Sequence, residues 1–70
     1  MEGTVIFFNA KKGWGFISQD NGQPDLFTHW TALRGMTGYK ELKPQQRVSY
    51  LVEQGSKGQP QATEVFVLEE

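Results

Sequence analysis

The sequence predicts an all-β fold, a small closed barrel of five short strands, on three observations. Five runs rich in β-branched and aromatic residues are separated by turns of Gly, Pro, Asn and Asp. No helical pattern longer than one turn interrupts them. At 70 residues the chain has room for one core, so a single domain over residues 1–70 is expected, and closing its short sheet removes edges that would otherwise aggregate.

Val5-Ile6-Phe7-Phe8 is the first strand, bounded by Gly3 and by the turn Asn9-Ala10-Lys11-Lys12-Gly13. Trp14 to Ser18 is the second strand and Asp25 to His29 the third, joined through Asp20-Asn21-Gly22-Gln23-Pro24. Thr31-Ala32-Leu33-Arg34 reads as one helical turn capped by Thr31 and stopped by Gly35 and Gly38. A long loop carrying Tyr39 follows, anchored to the core by Leu42. Arg47 to Val52 and Ala62 to Leu68 complete the set, with a flexible connection over residues 54–60. The inward series is Val5, Ile17, Leu26, Val48, Val65 and Val67, with Phe8 half-buried and Tyr50 and Phe66 structural.

Alternation along a strand puts Trp14 and Phe16 on one face, and Phe27 and His29 share that face if the two segments pair as a hairpin. The result is a flat field of rings fringed by Lys11 and Lys12, suited to stacking on unpaired bases. Burial in the core is the competing use of such rings, but the inward series already fills a small barrel.

Charge limits how binding can work. The net charge is −1, with +1 over residues 1–40 and −2 over residues 41–70, so affinity has to rest on stacking more than on Coulomb attraction. The absence of cysteine excludes disulfides and thiolate chemistry. His29 is the only histidine and has no companions for a metal or acid–base site, so no cofactor is expected. Its ring reads as a stacking surface. Gly13-x-Gly15 lacks the third glycine of a dinucleotide loop, Gly55-Ser56-Lys57-Gly58 is not a phosphate-binding loop, and no enzymatic activity is expected. No apolar run reaches membrane-spanning length, and the expected compartment is the cytoplasm.

Lys12-Gly13-Trp14-Gly15-Phe16-Ile17 and Leu26-Phe27-Thr28-His29-Trp30 together resemble the two ribonucleoprotein motifs of the bacterial cold-shock proteins. The resemblance extends through Glu2-Gly3-Thr4-Val5, Phe8-Asn9, Gly38-Tyr39-Lys40, Leu42, Lys57-Gly58 and Gln61-Ala62. It implies a five-stranded antiparallel OB-fold barrel that binds single-stranded RNA or DNA, with a taste for pyrimidine-rich stretches, and acts as an RNA chaperone. By position, the resemblance implies stacking on Phe7, Trp14, Phe16, Phe27, His29, Trp30 and Tyr39, and polar contacts from Lys12, Asp25 and Lys57. The chain departs from the pattern at Ile6, where the family usually has lysine, and at Phe7, where it usually has tryptophan. The loops before Asp25 and Tyr39 are about one residue longer than in common members.

A monomer is expected, with a strand-exchanged dimer as the alternative state. The alternative function is a peptide-docking module that uses the same aromatic face; an oligosaccharide-binding barrel suits the fold but leaves the lysines unexplained. If Lys12 and Lys57 contact phosphates, with Lys11, otherwise a solvated turn residue, as an optional third, log affinity should fall against log salt with a slope of about −2. A salt titration showing the steep slope of six or more contacts would contradict a stacking-dominated interface.

Overall fold

Two hairpins set the first three strands side by side in the computed structural model, which describes residues 1–35, 41–55 and 58–68. β1 (Glu2–Asn9) turns into β2 (Trp14–Gln19) through residues 10–13. There Asn9 Oδ1 accepts from the Lys12 N–H at 3.0 Å and Asn9 O from the Gly13 N–H at 2.7 Å. β3 (Leu26–His29) follows a loop that the Asn21 side chain folds by accepting from the Gln23 N–H at 3.0 Å. β4 (Arg47–Gln54) and β5 (Pro60–Val67) form the third hairpin.

The strands close into a barrel in the order β1-β2-β3-β5-β4. Every junction is antiparallel except β3–β5, where Phe27 pairs with Gln61 and Thr28 with Ala62 in parallel. The expected five-stranded antiparallel barrel is present, and because a closed ring with an odd number of strands cannot alternate direction throughout, it carries one parallel junction. That seam falls between two strands that no short turn connects.

The interior contains the expected Val5, Ile17, Leu26, Val48 and Val65, each at most 1% exposed. Leu33 and Leu42 join them, and Phe8 and Val67 pack from the margin. Tyr50 is buried, its hydroxyl donating to Gln19 Oε1 at 3.1 Å and Glu2 O at 3.3 Å, and burial pushes its phenol above the ordinary value. Phe66 contradicts its structural assignment. An extra residue in β5, with Glu64 at φ +51°, lets both Ala62 and Val65 point inward and turns Phe66 out to 46% exposure. The short helical element also differs from expectation: it is a 3-10 turn over Trp30–Ala32, and His29 rather than Thr31 caps it, its Nδ1 accepting from the Thr31 N–H at 3.4 Å.

A second bulge sits in β1. Val5 pairs with Ile17 and Phe7 with Phe16, leaving Ile6 as the extra residue. Strict alternation would send Val5 and Phe7 to the same side. The bulge instead allows Val5 to enter the core while Phe7 faces solvent.

The β1–β4 junction is braced by one guanidinium. Arg47 Nη1 donates to Thr4 Oγ1 at 2.7 Å and to Asp20 Oδ1 at 2.8 Å, while Nη2 pairs with the other Asp20 oxygen and lies 3.6 Å from Glu2. This bidentate bond holds the Asp20 carboxyl below the ordinary carboxylate range. Because the folded value is depressed, the stabilisation is present above the unfolded value near 3.9 and disappears as pH falls through the folded value. Asp20→Asn should therefore melt below the parent protein at neutral pH, and the gap should close on acidification below about pH 4. A gap that survives at the acid limit of the melting curves would assign the effect to something other than this carboxylate.

Candidate nucleic-acid interface

Once the β1 bulge has turned Phe7 outward, hairpin register assembles the surface. Phe16 pairs with Phe27 and Trp14 with His29, so the outward residues of β2 and β3 lie directly opposite one another. Between them, Gly15 pairs with Thr28 and Ile17 with Leu26 on the inner side. Gly15 allows β1 to approach closely: a Cβ there would overlap the Phe7 carbonyl and reach within 2.7 Å of Phe8 Cα. The rings of neighbouring strands therefore touch.

Ring centroids of Phe7 lie 5.8 Å from Trp14 and 5.7 Å from Phe16, and Phe27 is 6.1 Å from each of Trp14 and Phe16. The surface is corrugated rather than flat. Trp14 and Phe16 meet at 89° and Phe16 and Phe27 at 79°, whereas Trp14 and Phe27 are stacked at 27°. Edge-to-face contacts of this kind hold the rings in place through their quadrupoles, worth about 0.5–1.5 kcal/mol per pair. Trp14, Phe16, Phe27 and His29 are half-buried, and Phe7 and Trp30 are 40% and 43% exposed. None belongs to the core.

His29 and Trp30 extend the surface beyond β3, with centroids 5.8 Å apart and planes at 38°. The Thr31 hydroxyl also reaches His29 Nδ1 at 3.0 Å, so the cap that starts the 3-10 turn fixes the imidazole as well.

Lys12 is exposed in the β1–β2 turn beside Lys11, and Asp25 is exposed in the loop just before β3. Tyr39 and Lys57, the remaining expected contacts, lie outside the described residues. Sequence reasoning treated Arg47 only as a charge on a strand; its partner Asp20 is 27 positions away, and no local pattern connects them. Ile6 stands at 40% exposure on the bulge, adding an aliphatic group beside Phe7. Among the described residues, two grooves lie away from the rings. One of about 460 Å³ lies against Leu51 and Phe66, and one of about 240 Å³ sits at the barrel end against Leu26 and Val52. The ring surface is an open platform, a shape that suits an extended polymer better than an enclosed small molecule.

Phe16→Ala or Phe27→Ala should weaken oligonucleotide binding by more than about 1 kcal/mol, and should cost less stability than Ile17→Ala, which empties a fully buried site. Paired titrations and denaturant melts check this; aromatic variants that unfold as readily as the Ile17 variant would assign the rings to the interior.

Comparison with known proteins gives a consistent picture. Residues 1–68 match the model of the 'Cold-shock' DNA-binding domain. The chain is 53% identical over 68 residues to the cold shock-like protein CspA of Vibrio cholerae, covering 97% of this chain and 94% of that one. It is 48% identical over 69 residues to the cold shock-like protein of Thermotoga maritima, covering 99% and 100%. Among solved structures, drosophila Unr CSD456 superposes with a TM-score of 0.75 at 26% identity, across 97% of this chain and 26% of that longer one.

Proposed function

The chain belongs to the cold-shock domain family, and from that premise we propose that it binds single-stranded RNA or DNA by stacking bases on the β1–β3 ring surface. The observation that carries this reading is the contiguity of Phe7, Trp14, Phe16 and Phe27, whose neighbouring centroids are 5.7–6.1 Å apart on a wall that remains in contact with water. Each base stacked on an aromatic side chain contributes roughly 1–3 kcal/mol, and any base can do so.

His29 and Trp30 continue the row of platforms, and Tyr39 is a further stacking ring in this reading. Lys12 and Lys57 meet phosphates, while Asp25 accepts hydrogen bonds from base amino groups. With few cations engaged, affinity depends on ring contact, and pyrimidine-rich segments are the favoured ligands.

The protein has no energy source in this reading. It holds unpaired segments and so draws a hairpin equilibrium toward the open form by mass action, as a passive RNA chaperone. It acts as a binding protein rather than an enzyme, as a monomer in the cytoplasm. Adding oligothymidine or oligouridine should quench the fluorescence of Trp14 and Trp30 and raise the melting temperature as the sites fill. Unchanged emission at micromolar oligonucleotide would favour a peptide ligand on the same face.

A further inference from the structure

Three glycines share nearly the same left-handed backbone: Gly13 at φ +82°, Gly22 at +81° and Gly58 at +85°. Their surroundings differ. A Cβ at Gly22 or Gly58 would meet nothing within 4 Å. A Cβ at Gly13 would overlap Cδ1 of Trp30 and lie 3.3 Å from Nε1 and 3.4 Å from Cγ of the same indole. Gly13 is buried although Lys11 and Lys12 beside it are exposed.

We propose that Gly13 is a positioning residue that seats the Trp30 ring against the β1–β2 turn, so that the lysine-bearing turn and the outermost base platform form one unit. The proposal rests on the base-stacking reading and adds a device that sets where one of its platforms stands. Hydrogen bonds on both sides pin the backbone beneath the ring. The Gly13 N–H donates to Asn9 O at 2.7 Å, the Lys12 N–H to Asn9 Oδ1 at 3.0 Å, and the Trp30 N–H to Gly13 O at 2.8 Å. The turn cannot retreat from an added methyl without breaking these bonds, so the indole has to swing instead. Trp30 is still 43% exposed in its seat, so a ring resting on Gly13 remains open to a base. Any side chain at position 13 would misplace that platform while leaving the four-ring wall on β1–β3 intact.

Backbone strain would also penalise alanine at a positive φ, and Gly22 supplies the control. Oligothymidine affinity is measured for the parent protein, Gly13→Ala, Gly22→Ala, Trp30→Ala and the Gly13→Ala/Trp30→Ala double variant, with Trp14 as the reporter that all retain. Trp30→Ala should weaken binding about fivefold or more, and Gly13→Ala by a similar factor. Gly22→Ala should stay within about twofold, and Gly13→Ala should add little once the indole is gone, because the two changes act on one platform. Equal affinities of Gly13→Ala and Gly22→Ala, or a full loss from Gly13→Ala in the Trp30→Ala background, would overturn the seat alone. Failure of the parent protein to bind would instead overturn the base-stacking reading, and the seat with it. If Gly13→Ala unfolds, the double variant decides: removing the ring should restore folding to the level of Gly22→Ala, and a double variant that stays unfolded would show that Trp30 is not what the methyl meets.

Discussion

The ring surface reaches across β1 through one irregularity, the extra residue at Ile6. A strand sends alternate side chains to opposite faces, yet β1 has to fill the barrel with Val5 and supply a platform with Phe7. Without the bulge, one of the two would be misplaced: either a ring would be forced into an interior already full, or a core valine would be left in water. The bulge in β5 does the same at Glu64, allowing Ala62 and Val65 to be buried three positions apart. Packing and binding are thus uncoupled by backbone geometry rather than by side-chain choice.

That separation costs stability. A barrel this small has little apolar area to spare, and this one leaves Phe7 and Trp30 at two-fifths exposure. Part of the shortfall is met by polar bracing. Arg47 ties Asp20 and Thr4 to β4 where β1 and β4 share only the three residue pairs from Glu2 to Thr4, and a planar guanidinium fits a carboxylate better there than a lysine would. The edge-to-face rings add mutual support on the opposite wall, so the platform is ordered before any base arrives.

Much of this was legible in the sequence. The five strands, the inward series and the shared face of Trp14, Phe16, Phe27 and His29 follow from alternation and turn residues, because each is a local property. The parallel β3–β5 seam follows from strand number once closure is assumed, but pairwise strand reading does not raise the question of direction around the ring. Phe66 was misassigned although Val65 and Val67, both read as inward, leave the residue between them facing out by simple alternation. Thr31 has the right chemistry for a cap, and His29 displaced it because the strand end already placed an imidazole nitrogen over the first free amide. The Arg47–Asp20 pair was invisible because its two segments meet only across β1, which pairs with both β2 and β4, and the Gly13–Trp30 contact because it needs the β2–β3 register carried one position past the Trp14–His29 pair.

The parallel seam also marks where the cylinder is expected to open first. Between the strands themselves it holds β3 to β5 through two residue pairs, one fewer than join β1 to β4, with the Leu33–Val65 bridge farther along. One of its lips is Phe27, so a thermal opening there would splay the wall that holds the rings, and a polymer lying across the lip would act as a suture. Occupancy and cylinder integrity are then two readings of the same equilibrium.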